Sequence, residues 1–254
     1  PTLGASPRRI AIAARMRLST LKTYLHREQR LLIGLGIGGA LAALFIKLAG
    51  EMSEGETEAF DIAILKALRV PGDLSTPIGP AWLLNSMRDL TALGGVTVLT
   101  LVTLLAIAFL LLRGRWHHAL YTAVAIGGGA IMGRILKALF ARERPEIVPH
   151  LVEGHSLSFP SGHSMNSAIV YLTLAVLVAR GYEERRTRSF VIGAASLLVF
   201  VIGVSRVYLG VHYPSDVLGG WTVGAAWALL TGLIATNLQQ RNRIEGPGED
   251  SETV

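Results

Sequence analysis

Six long apolar runs separated by short polar stretches set the pattern of this chain. They cover residues 31–50, 94–112, 116–140, 162–179, 189–208 and 216–236. Each is about as long as the roughly 17–25 residues an α-helix needs to cross a hydrocarbon core. Lys47, near the far end of the first run, can reach the interface with its ammonium group. Residues 58–69 behave differently. There Phe60, Ile64 and Leu68 recur at helical spacing, which predicts an amphipathic helix lying at the interface between the first and second runs. Pro71, Pro77 and Pro80 then break up the connection to the second run. Gly34 and Gly38, Gly129 and Gly133, and Gly220 and Gly224 sit one helical turn apart, and such pairs read as close packing within a bundle. The expected fold is therefore all-α, a polytopic bundle of six transmembrane helices with one interfacial helix.

Composition supports this reading. The chain of 254 residues is 51% hydrophobic and 17% charged, with a mean hydropathy of +0.47, far from an ordinary soluble domain. Cysteine is absent, which excludes disulfides, thiolate nucleophiles and cysteine metal sites. The net charge of +6 raises the question of nucleic acid, and its distribution answers it. With six crossings, 15 Lys and Arg fall on the side of the termini and 6 on the other, while Lys47, Arg134 and Lys137 lie within spans. The positive-inside rule then puts both termini in the cytoplasm of an inner membrane and accounts for the basic balance without nucleic acid. The basic segment 1–30 is followed by an apolar run too long for a signal peptide. Residues 31–236 form the membrane domain, and 237–254 a polar, disordered tail on the cytoplasmic side.

Three polar clusters remain, all placed by this topology on the non-cytoplasmic face. Lys137 and Arg144, followed by Pro145, stand two helical turns apart at the end of the third run. Ser161 and Gly162 open the fourth run, where a hydroxyl and free backbone N–H groups offer an anion site, with His163 in the first turn. Arg206, His212 and Asp216 flank the start of the sixth run. If the chain turns helical at Pro214, Asp216 can hold one nitrogen of His212 and leave the other unprotonated. Taken singly, these clusters read equally as a snorkelling lysine, an ordinary N-cap and an interfacial ion pair. Taken together they gather three cations, a helix start and two imidazoles at one depth. That set suits phosphoryl transfer through a phosphohistidine, with His212 attacking and His163 serving the leaving group. Neither clustered carboxylates nor paired metal-ligand histidines occur, so neither a metal nor another cofactor is expected. Arg134 is expected to line the same cavity or to pair with a buried carboxylate. Glu153 and His155 either touch a headgroup or are solvated.

The pattern Lys-x6-Arg-Pro (137–145), Pro-Ser-Gly-His (160–163) and Ser-Arg-x5-His-x3-Asp (205–216) resembles the signature of the type 2 phosphatidic acid phosphatase superfamily in order and spacing. The resemblance implies His212 as nucleophile, Asp216 as its partner, and His163 as general acid and then base. It implies Lys137, Arg144, Ser161, Gly162 and Arg206 as phosphate ligands. The soluble vanadium haloperoxidases share these motifs, and six spans argue against that branch. The implied activity is metal-independent hydrolysis of a lipid phosphate at the outer face of the membrane. Undecaprenyl pyrophosphate is slightly favoured over phosphatidylglycerol phosphate, phosphatidic acid and lipid A 1-phosphate. Transfer of the phosphoryl group to a second lipid is the alternative within enzymes. A non-catalytic binder or transporter of anionic lipid is the alternative outside them, and it has no use for His212, Asp216 and His163 together.

Overall fold

The computed structural model describes the backbone of residues 7–154 and 156–240, and the side chains of Gln29, residues 31–154 and residues 156–237. The basic side chains expected to mark 1–30, the tail beyond 240 and His155 lie outside the described residues. Among the described residues eight helices carry the fold: α1 (Pro7–Ser53), α2 (Glu58–Ala67), α3 (Ala81–Ala92), α4 (Val96–Leu112), α5 (Trp116–Phe140), α6 (Gly162–Ala179), α7 (Arg185–Tyr208) and α8 (Pro214–Gln240). A two-stranded hairpin, β1 (Arg69–Val70) and β2 (Asp73–Pro77), follows α2. The protein is an all-α polytopic membrane protein. Among the described residues five helices are long and apolar enough to cross a bilayer: Leu31–Ser53 within α1, then α5, α6, α7 and the Pro214–Asn237 part of α8. The run expected at 94–112 differs. It forms α4, which is long and apolar enough to count as a span only together with α3, from which it is bent by 47°.

The bend has a local cause. Gly94 and Gly95 donate to the carbonyls of Thr91 and Ala92 at 3.0 Å, closing α3, and the extended Gly95 restarts the chain as α4. At Gly94 a Cβ would lie 2.5 Å from Ile202 and 3.2 Å from the His163 ring. Only glycine lets the backbone approach α6 and α7 this closely.

Helix α6 packs against both α7 and α8, and α1 lies along α8. A Cβ on Gly220 would meet the Ser161 carbonyl at 2.8 Å, and one on Gly224 the Met165 carbonyl at 2.7 Å. These glycines bring α8 against the first turns of α6, so the second and third motifs share one contact. The outward faces of the bundle expose Leu101, Leu105, Ile131, Ile135, Leu139 and Phe200, the surface a hydrocarbon solvent requires.

The outcome differs between α2 and Arg134. The face of α2 turned into the protein carries Asp61 and Leu65, both 0% exposed, whereas Phe60 is 51% exposed. Phe60 is left free to meet the interface, as expected of an amphipathic helix, while the inward turn of Asp61 was not part of the sequence pattern. Arg134, for its part, is exposed on the apolar outer face of α5. It neither lines the polar cavity nor pairs with a carboxylate among the described residues. Its position near the helix end suits a guanidinium reaching for headgroups.

Candidate active site

The loop that carries His212 is built from two helix ends. Helix α7 closes in a Schellman motif: Gly210, at φ 75°, donates to the Val207 carbonyl at 3.0 Å, and Val211 to that of Arg206 at 3.2 Å. Helix α8 then starts at Pro214, whose missing N–H costs nothing at the first helical position. Asp216 lies one turn past His212, and its Oδ2 stands 3.3 Å from His212 Nδ1. The same oxygen accepts the Tyr213 N–H at 2.9 Å and the Ser158 hydroxyl. Oδ1 accepts from the Arg142 guanidinium at 2.7 Å. The carboxylate is thus fixed on both oxygens. With Nδ1 as the donor toward Asp216, Nε2 is the free, basic nitrogen of His212. His212 is 1% exposed. Burial pushes its pKa down to about 3, against the opposing pull of Asp216, so the resting ring is neutral.

Arg142 is the hub of a buried network. Its second amino group donates to Asp61 Oδ2 at 2.9 Å, its first also to the Ser215 hydroxyl at 2.7 Å, and the guanidinium lies 4.1 Å over the Tyr213 ring. One cation therefore serves two fully buried carboxylates, Asp61 and Asp216.

The remaining motif residues converge on the same end of the bundle. A Cβ on Gly162 would sit 3.5 Å from Lys137 Cε, and the Lys137 ammonium donates to the Leu157 carbonyl. Arg144 donates to the Ser156 carbonyl at 2.6 Å and to the Val211 carbonyl, next to His212, at 2.7 Å. Arg206, in the last turn of α7, donates to the Thr91 hydroxyl at 2.8 Å, and its Nε has no partner among the described residues. His163 lies within electrostatic reach of Arg206, His212, Arg144 and Lys137. Ser161 caps α6, accepting from the Ser164 N–H and hydroxyl at 3.5 and 3.1 Å, and its own N–H donates to the Asp216 carbonyl at 2.9 Å. The first N–H groups of α6, those of Gly162 and His163, remain available to an anion. The structure thus brings together every residue singled out from the three motifs. Among the described residues no group of three or more His, Asp or Glu side chains is disposed to hold a metal.

Sequence reasoning missed Asp61, Arg142, Ser158, Ser215 and Thr91. Only one of them gave a signal: Asp61 interrupts an apolar stretch, where a carboxylate has to be paired. Arg142 counted only as a loop charge, although it stands two residues before Arg144.

Fold and site together define an all-helical membrane protein with cations and two imidazoles gathered at one end of its bundle. Residues 118–240 match the sequence profile of the PAP2 superfamily. The chain is 33% identical over 187 residues to phosphatidylglycerophosphatase B of Bacillus subtilis, covering 73% of this chain and 88% of that one. It is 32% identical over 126 residues to a lipid A 1-phosphatase of Rhizobium etli, covering 45% and 48%. A crystal structure of a transmembrane PAP2 type phosphatidylglycerolphosphate phosphatase from Bacillus subtilis superposes with a TM-score of 0.70 at 30% identity, covering 79% of this chain and 96% of that one. The chain belongs to the PAP2 superfamily.

Proposed function

We propose that this protein is a membrane lipid phosphatase working through a phosphohistidine at His212. The observation that carries the reading is the fixed Asp216–His212 pair, which leaves Nε2 neutral and basic beside an array of cations. Nε2 attacks phosphorus, a P–N bond forms, and the P–O bond to the leaving group breaks in line. Arg206, Arg144, Lys137 and the N–H groups at the head of α6 take up the charge on the three equatorial oxygens. His163 gives its proton to the leaving oxygen and then accepts one from the water that cleaves the P–N bond, releasing inorganic phosphate. Asp216 stabilises the imidazole as it becomes cationic.

A lipid substrate is supported by an apolar cleft of about 310 Å³ between α4, α5 and α6, lined among others by Val96, Thr100, Ile107, Ala130 and Asn166. Its upper end adjoins the site, since a Cβ on Gly95 would lie 4.0 Å from His163 Nε2. Phosphatidylglycerophosphatase B of Bacillus subtilis aligns over 88% of its own length, so phosphatidylglycerol phosphate is the first substrate to try. Undecaprenyl pyrophosphate is the second, through a 29% identity over 115 residues to the undecaprenyl-diphosphatase BcrC of Bacillus subtilis. The asymmetry of Lys and Arg supports cytoplasmic termini and a site facing the outer side of an inner membrane.

Phosphate release from both lipids and from phosphatidic acid, with EDTA present, tests the proposal. Release should persist in EDTA and fall by at least about 10³-fold in His212→Gln. A strict magnesium requirement, or full activity in the variant, would contradict it.

A further inference from the structure

The loop that presents His212 has one unfilled hydrogen-bonding position at each end. The Schellman motif of α7 satisfies the carbonyls of Arg206 and Val207 and leaves that of Tyr208. At the start of α8, Tyr213 occupies the capping position but has no acceptor to offer the Ser215 N–H. Both gaps are filled from a single distant segment. Asp61 of α2 accepts the Ser215 N–H at 2.9 Å and the Ser215 hydroxyl at 2.6 Å. Arg69 of β1 donates to the Tyr208 carbonyl at 3.0 Å. The signs match the helix dipoles, an anion at the N-terminus of α8 and a cation at the C-terminus of α7.

Asp61, Leu65 and Arg69 form one buried stripe at helical spacing, with exposures of 0, 0 and 2%. Leu65 packs with Val148, Val207 and Val217, which come from the loop before α6 and from α7 and α8. Gly210 lies against the far side of Arg69: a Cβ there would be 2.6 Å from its amino group. Arg69 keeps this place although its Nε and second amino group have no partner among the described residues. A buried guanidinium half satisfied is a poor choice for stability alone, since an apolar residue would avoid its desolvation.

We infer that the Asp61–Leu65–Arg69 stripe is a clamp that fixes the separation of the two helix ends and thereby the aim of His212 Nε2. Asp61 and Arg69 are positioning residues. They touch the backbone on either side of the loop, not the reacting atoms. The inference rests on His212 being the nucleophile. A nucleophile misplaced by about 1 Å loses on the order of 10²-fold in rate, so the clamp acts on kcat and leaves phosphate binding alone.

The test uses the full-length protein in detergent, with a nitrophenyl phosphate as substrate. The variants are Asp61→Ala, Asp61→Asn, Arg69→Met, Arg69→Lys and His212→Ala, each read for kcat, KM, thermal midpoint and burst formation of phosphoenzyme. Asn keeps an acceptor for the Ser215 N–H, and Lys keeps one donor for the Tyr208 carbonyl. Asp61→Ala and Arg69→Met should lower kcat by about 10²-fold with KM within about 3-fold of wild type. Asn and Lys should recover about 10-fold of that loss and stay about 10-fold below wild type. Should Ala or Met not fold, the Asn and Lys proteins decide: a kcat reduced at constant KM supports the clamp. Wild-type kcat in Ala and Met, or in Asn and Lys where those do not fold, overturns it. A loss in KM rather than kcat, or Asn no better than Ala, overturns it too. Phosphoenzyme in His212→Ala would instead overturn the nucleophile assignment, whatever Asp61 and Arg69 do.

Discussion

Asp216 holds four partners on two oxygens: His212, Tyr213, Ser158 and Arg142. The motif spacing made the first of these legible, because residues one turn apart on a helix face each other. Tyr213 is just as local, three residues before Asp216, whereas Arg142 and Ser158 come from folding, which brings residues 142 and 158 to a helix that starts at 214. No local pattern encodes that approach. The same holds for Asp61, whose role depends on a neighbour 154 residues away. The buried state of His212 has a consequence for pH. Its folded pKa of about 3 lies below its ordinary value of 6.5, so the unfolded chain binds the proton more readily. The stability this represents is present above the ordinary value and is lost as pH falls from there toward the folded one. Between about pH 7.5 and about pH 5, the thermal midpoint of the wild type should drop further than that of His212→Gln, as scanning calorimetry in detergent would show. Equal drops would mean that the ring protonates as easily in the fold as out of it.

Among the elements, the long apolar runs were legible because a bilayer demands length and uniform hydrophobicity, a signal that survives any tertiary context. Helix α6 coincides with its expected run, and α5 does too. Short elements between the spans were not legible. Helix α3 and the β1–β2 hairpin lie in a proline-interrupted stretch, where Pro77 ends a strand instead of simply breaking the chain. Helix α2 was expected, but its buried Asp61 was not legible, since the partner of that carboxylate is distant in sequence. The contact between α6 and α8 makes a direct prediction. In Gly220→Ala the new Cβ meets backbone, the Ser161 carbonyl and the Met165 nitrogen at 2.8 and 3.1 Å, and backbone cannot rotate away. Overpacking of this kind costs about 1–3 kcal/mol. Because Ser161 is also bonded to Asp216, the displacement reaches both motifs. Thermal unfolding and turnover should both fall in Gly220→Ala, whereas in Gly232→Ala, where a Cβ meets nothing within 4 Å, neither should. A wild-type midpoint in Gly220→Ala would show that the helices separate freely.

Across the whole molecule, the polar face of α2, the α3–α4 bend, the loop before α6 and the α7–α8 loop meet at one end of an otherwise apolar bundle. The proposed orientation puts that end outside. Single cysteines at positions 153 and 185 of the cysteine-free chain test it on intact cells: an impermeant thiol reagent should label 153 and spare 185. Labelling of 185 alone would move the site to the cytoplasm. The central claim concerns chemistry at a single atom, so the most direct measurement looks for the bond itself. Wild-type protein mixed with a nitrophenyl phosphate and quenched without acid should carry its phosphoryl group on a peptide containing His212, located by mass spectrometry. His212→Ala should carry none. A phosphoryl group on any other residue, or phosphoenzyme persisting in His212→Ala, would contradict the account.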